Sequence, residues 1–178
     1  MAVQPIGTVT MLFTDIEGST GLLQRLGPER YRGALELHRG LLRDAFDRHG
    51  GYEVDYEGDA FFVAFESAIE AVAAAAEAQH ALTTAEWPEG LPIRVRMGVH
   101  TGKPVAAPPK YVGLDVHKAA RIMAAGHGGQ VLVSAATQRL LGEGRADTAR
   151  RAPSKGFVAA GSAVSACRSG AALGVSRV

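Results

Sequence analysis

Two short apolar runs, residues 52–56 and 60–65, are separated by Glu57-Gly58-Asp59 and flanked on each side by a long stretch of helical spacing. Glycine punctuation between two strand-length runs predicts an antiparallel β-hairpin with an acidic tip. A hairpin set between two long helices narrows the fold sharply. A strand must feed the first helix and another must receive the chain after the second. The flanking sequence supplies both. Residues 7–13, GTVTMLF, are apolar on alternate positions and nearly so on the others, which suits a central strand. Residues 93–99 alternate Ile93, Val95, Met97, Val99 against Arg94, Arg96, Gly98.

The helices follow from spacing. Tyr31, Ala34, Leu35, His38, Leu41, Leu42, Ala45, Phe46 and His49 recur at helical intervals over 29–49, and Gly50-Gly51 ends the run. Residues 67–84 are Ala-rich and helical, closed by Trp87-Pro88-Glu89-Gly90. A loop with Pro104, Pro108 and Pro109 leads to a third helix over 114–125, a strand over 130–134 and a short helix over 135–141. The order β-α-β-β-α-β-α-β predicts an α+β domain of the ferredoxin-like, split βαβ plan, an antiparallel sheet with helices on one face. Residues 142–178 are rich in Ala, Gly, Ser and Arg without a sustained period, so the domain is assigned to 1–141 and an irregular or incomplete C-terminal segment to 142–178.

Composition sets the class. Apolar residues are 47% of 178, enough for one core, and the formal net charge of +1 gives no global field for a nucleic acid. Cys167 is the only cysteine, which excludes an internal disulfide. No apolar run approaches the roughly 18 residues that span a membrane, and no signal peptide is visible. The expectation is a cytoplasmic domain with neither nucleic acid nor membrane as partner.

Chemistry concentrates at two places. Asp15 ends the first strand and Asp59 sits at the hairpin tip, neighbours in a ferredoxin-like sheet. Two such carboxylates repel unless a divalent cation lies between them, and Mg²⁺ favours carboxylate oxygens together with substrate phosphates. Gly18, Ser19 and Thr20 open a helix with free N–H groups suited to phosphate; the plainer alternative is that Ser19 or Thr20 is only a helix cap. Elsewhere, His117 and Arg121 share one face of the third helix, where Arg121 is either a phosphate ligand or a solvated charge.

Four segments together resemble the class III adenylyl and guanylyl cyclase family: FTDIEGST, EGDAFFVAF, RVRMGVHTG and YVGLDVHKAARIMAAGHGGQVLVS, in the family's order over roughly residues 7–141. The resemblance implies a head-to-tail homodimer acting on ATP or GTP, with two Mg²⁺ or Mn²⁺ ions per site. Asp15, Asp59 and the Ile16 carbonyl would be the metal ligands, and Arg121 and His117 the catalytic residues of the facing chain. Substrate contacts are implied for Ile16, Glu17, Gly18, Ser19, Thr20, Asp55, Gly58, Lys110, Asp115 and Lys155. No sensory domain is visible in the sequence, so regulation is expected from a regulatory partner protein, from concentration or not at all. Three positions depart from the family pattern. Asp55 stands where a Lys usually reads the purine, Lys110 where an Asp does in adenylyl cyclases, and His117 where Asn is usual. A catalytically degenerate, nucleotide-binding or dimerising regulatory module is the rival reading. A diguanylate cyclase is disfavoured by the hairpin Glu57-Gly58-Asp59-Ala60-Phe61.

Overall fold

A computed structural model describes residues 3–148, 158–160 and 163–166. Strand β1 (Val9–Ile16) lies in the middle of the sheet because both of its faces are apolar. It pairs antiparallel with β3 (Ala60–Phe65) on one side and β4 (Val95–Gly102) on the other. β2 (Tyr52–Glu57) pairs with β3 to form the expected hairpin. β7 (Val131–Ser134) runs parallel to β4, and β9 (Ala163–Ala166) and β8 (Val158–Ala160) complete the order β2-β3-β1-β4-β7-β9-β8. The antiparallel plan therefore holds except at β4–β7, where helix α3 (Leu114–Ala124) makes the crossover.

Helix α1 (Ser19–Arg48) and helix α2 (Ala68–Thr84) cover one face. Their buried Leu42, Phe46, Ala71, Ala75 and Ala78 pack on Leu12, Phe61, Val63, Phe65, Met97 and Val99 of the strands. The helix expected from residue 29 begins earlier, at Ser19, but is broken at Gly27 (φ 73°, ψ 164°) with Pro28 next, so two helical pieces meet at an angle. Small alanines let α2 approach the sheet closely.

Helix α3 takes the opposite face, contrary to a one-sided arrangement. β4 turns Gly98 and Gly102 toward it. A Cβ on Gly98 would stand 2.3 Å from the Met123 nitrogen, and one on Gly102 2.4 Å from the Asp115 carboxyl. Only a residue without Cβ permits that approach. A second small core of Val9, Met11, Val54, Phe62, Ala64, Tyr111 and Ala119 fills this side. The proline-rich loop forms a small hairpin, β5 (Val105–Ala107) and β6 (Lys110–Val112). The last helix, α4 (Ala135–Thr148), runs past the expected end at 141 because nothing in 142–148 is a helix breaker beyond isolated glycines. The remainder of the 142–178 segment, apart from β8 and β9, lies outside the described residues.

Candidate active site

The register of β1 settles what meets at its C-terminal end. Thr14 stands opposite Phe61 of β3, and Asp15 stands opposite Arg96 of β4. The turn joining β2 to β3 therefore closes beside Asp15. Gly58 adopts φ 63°, the left-handed conformation that a tight hairpin turn needs. Arg39 of α1 braces this turn: it donates to the Tyr56 hydroxyl and, at 3.3 Å, to the Gly58 carbonyl, while the Tyr56 hydroxyl also donates to that carbonyl.

Asp59, next in the turn, has one carboxylate oxygen buried without a hydrogen-bond partner. Burial pushes its carboxyl above the usual range, and the Asp15 charge adds to the rise; the Ser19 hydroxyl and Arg96 oppose it. Asp15 is thus near enough to act on Asp59 through its charge. Asp15 is paired with Arg96, whose Nε and Nη2 lie 2.9 and 2.5 Å from the same Asp15 oxygen. The donor set fits a hard divalent ion. One Asp59 oxygen is orphaned, the Asp15 charge acts on the same carboxyl, and among the described residues no cluster of three or more His, Cys, Asp or Glu offers a closed cage. Open coordination completed by phosphate is how Mg²⁺ is usually bound.

Gly18 caps α1 in the left-handed conformation (φ 69°, ψ 30°) and makes no side-chain capping bond. The first turn of the helix itself carries no acidic residue. The plainer capping alternative for Ser19 and Thr20 does not describe this turn: the cap is Gly18, and the Ser19 hydroxyl is engaged with Asp59 and with Tyr31. Glu17 and Thr20 flank the turn, exposed, and the buried Ile16 side chain anchors it in the core.

A family profile described as "Adenylate and Guanylate cyclase catalytic domain" matches residues 1–158. The chain belongs to that cyclase family. The cyclase domain is 37% identical over 155 residues to an adenylate cyclase of Lachancea kluyveri, covering 73% of this chain and 8% of that protein. It is 39% identical over 139 residues to an uncharacterised protein of Mycobacterium tuberculosis, covering 77% of this chain and 46% of that protein. The chain thus spans less than half the length of either relative. It superposes on adenylate cyclases of Trypanosoma brucei in their monomeric state with a TM-score of 0.73 at 28% identity, covering 91% of this chain and 89% of that one. An adenylate/guanylate cyclase/hydrolase from Silicibacter pomeroyi shares the fold, with a TM-score of 0.75 at 23% identity and coverage of 90% and 96%.

The remaining candidates of the cyclase domain stand apart from the acidic pair. Asp55 of β2 and Lys110 of β6 form an exposed ion pair within one chain, and the Lys110 hydrogen bond holds the Asp55 carboxyl below its usual range. His117 and Arg121 are exposed on α3, and no ion pair joins Arg121 to Asp15 or Asp59 among the described residues. Asp115 is turned back into its own chain. It accepts from the Lys103 N–H at 2.9 Å, and its carboxyl is pulled down to about 2 chiefly by that bond, with His100 and Lys118 contributing. Asp115, expected as a substrate contact, thus makes its hydrogen bonds within its own chain. Lys155 lies outside the described residues.

Sequence reading missed Arg96 and Tyr31. Alternation placed Arg96 on one face of its strand, but only register puts it against Asp15. Tyr31 reaches the phosphate turn because of the break at Gly27; its hydroxyl bonds Ser19, and burial and the nearby Asp59 raise its pKa. Among the described residues no helix is long and apolar enough to cross a membrane.

Proposed function

We propose that this domain is a nucleotidyl cyclase, converting ATP or GTP to the 3′,5′-cyclic nucleotide and pyrophosphate at a site shared by two copies of the chain. The observation that carries this reading is the coupled pair Asp15–Asp59, with its orphaned buried oxygen, beside the uncapped N-terminus of α1. Asp15, Asp59 and the Ile16 carbonyl would hold two Mg²⁺ or Mn²⁺ ions, which when bound promote attack by an activated oxygen and stabilise the leaving one. The N–H groups around Gly18 and Ser19, flanked by Glu17 and Thr20, bind the phosphates. Arg96 can turn from Asp15 to a phosphate oxygen, offering the planar fork that suits it. Lys155 is proposed to add a terminal-phosphate contact.

Arg121 of the second chain stabilises charge on the transferring phosphoryl group, and His117 donates to the ribose. One observation supports a shared site: the Arg121 side chain has no partner among the described residues of its own chain. The catalytic unit is proposed as residues 1–141, with 142–178 appended, working in the cytoplasm with a partner protein as regulator.

Asp55, Lys110 and Gly58 are assigned to the base-reading edge. The closed Asp55–Lys110 pair favours a second reading, a nucleotide-binding or dimerising regulatory module with little turnover, because both groups are spent on each other. Turnover of ATP and GTP, each with Mg²⁺ and with Mn²⁺, separates the two. Formation of cyclic nucleotide that Asp15→Ala abolishes supports the cyclase. Tight nucleotide binding without product supports the module. Mixing Asp15→Ala with Arg121→Ala tests the shared site, because mixed dimers regain one intact copy.

A further inference from the structure

Helix α3 depends on its packing against the sheet. It is 11 residues long, too short to be stable alone, and Ala119 is its only fully buried residue, with Val116 packed beside it. Its exposed Arg121 has no side-chain partner among the described residues, so where the guanidinium can reach depends on where the helix lies. Beyond the apolar packing, two contacts locate its ends. At the C-terminal end the Met123 backbone sits against Gly98, where a Cβ would meet it at 2.3 Å. At the N-terminal end Asp115 is strapped to β4 by His100.

The strap joins a buried imidazole to a half-buried carboxylate. His100 is 8% exposed at its side chain; its Nε2 lies 3.2 Å from Asp115 Oδ1 and its Nδ1 2.9 Å from Ser134 Oγ. A carboxylate only accepts, so Nε2 carries a proton, and in the neutral imidazole Nδ1 accepts the Ser134 hydroxyl. Ser134 continues to Thr137 at 3.1 Å, Thr137 to Thr101 at 2.9 Å, and Thr101 to Thr10 at 3.0 Å. This hydroxyl chain ties the imidazole to β7, α4, β4 and β1. The Asp115 end is held again by the Lys103 N–H at 2.9 Å and by Lys118 at 3.1 Å. Ser134, His100 and Asp115 resemble a hydrolytic triad in composition, but Ser134 is 6% exposed and cannot meet a substrate.

We infer that His100, acting through Asp115, is the positioning residue that fixes α3 on the sheet and so aims Arg121 into the site of the facing chain. The inference rests on the cyclase reading for its functional half. Arg121 lies six residues beyond Asp115, roughly 9 Å along the helix axis. A tilt of only about 6° at the strap moves it by about 1 Å, and a misplacement of that size costs on the order of a hundredfold in rate.

The test uses the full chain with His100→Leu, which breaks the strap, and His100→Gln, which retains a donor for Asp115 and an acceptor for Ser134. Asp115→Ala breaks the same contact from its more exposed end and serves if His100→Leu does not fold. Amide hydrogen exchange over residues 114–124 reads the strap without any activity. The breaking variant should accelerate exchange there about tenfold or more while β1 and β3 keep their rates, and His100→Gln should stay near the wild type. In mixed dimers, His100→Leu is then placed in turn on each chain. On the Asp15→Ala chain, whose α3 serves the intact site, it should lower activity between about tenfold and a hundredfold. On the Arg121→Ala chain, whose α3 serves nothing, it should leave activity unchanged. Equal losses on both chains, or unaltered exchange over α3, overturn the inference. Failure of the Asp15→Ala and Arg121→Ala chains to complement counts against the shared site instead, and the exchange measurement still decides the strap.

Discussion

His38 should make the domain acid-sensitive by an amount that can be worked out. Its side chain is completely buried on α1, neither ring nitrogen has a hydrogen-bond partner, and the ring packs against Phe61 at 6.0 Å between centroids. Burial, with the nearby Arg39 charge, lowers its pKa from 6.5 to about 4. A folded pKa below the unfolded one means that the unfolded chain takes up the proton first. Stability is therefore intact above pH ~6.5 and lost as pH falls toward 4. The full shift corresponds to about 3 kcal/mol, of which about 2 kcal/mol is lost by pH 5. That is a large part of the roughly 5–15 kcal/mol that holds a domain together. His38→Leu removes the titration and both orphaned nitrogens, each of which costs about 1–3 kcal/mol when buried unpaired. Urea unfolding of wild type and His38→Leu at pH 7, 6 and 5 provides the assay. The variant should be at least as stable at pH 7, and its advantage should widen by about 2 kcal/mol by pH 5. A constant difference across that range would refute the reasoning, because it would show that the imidazole ionises as freely when folded as when unfolded.

Three further outcomes follow from the same groups. Asp59→Asn should raise the melting temperature of the metal-free protein, since burial disfavours the native carboxylate, yet weaken Mn²⁺ binding followed by electron paramagnetic resonance. His49 bridges Glu70 at 2.7 Å and Glu77 at 2.9 Å, and its pKa is raised chiefly by the Glu70 bond. Its stabilisation is complete below pH ~6.5 and disappears as pH rises through the folded value. The stability difference between wild type and His49→Gln, measured by urea unfolding, should thus be larger at pH 6 than at pH 8.5. Because Asp55 and Lys110 neutralise each other, kcat/KM should differ little between ATP and GTP, and exchanging the two charges as Asp55→Lys with Lys110→Asp should raise the preference for ATP; a strong ATP preference in the wild type would defeat this account.

Most strands and the two long helices were legible because each depends on a local period. The hairpin over 52–65 announces itself through two apolar runs and a glycine, and α2 through its alanines. What escaped depends on position in three dimensions. Gly27-Pro28 reads as the start of a helix at residue 29, and only the structure shows helix on both sides of that break. The face taken by α3 is decided by the missing Cβ atoms of Gly98 and Gly102, whose meaning appears only when the helix arrives. That Asp15 and Asp59 stand at the ends of neighbouring strands could be read from topology alone. The pairing of Arg96 could not, because strand alternation gives a face but never a register.

That distinction bears on how the acidic end should behave. Asp15 is neutralised by Arg96, Asp55 by Lys110, and Asp115 by backbone, His100 and Lys118, so each has a partner within the chain. Asp59 differs: one of its oxygens is buried with no partner at all, and its turn is braced by Arg39 and Tyr56 so that it cannot easily swing to water. Burying an unpaired carboxylate oxygen costs about 1–3 kcal/mol or more, which a fold retains only if something offsets it. Under the proposed metal role, a cation held by Asp59 and Asp15 would offset it and would compete with Arg96 for Asp15. The guanidinium so released would remain at the end of β1, near Gly18 and Ser19, where the triphosphate is proposed to bind. Metal and triphosphate should then bind cooperatively rather than independently.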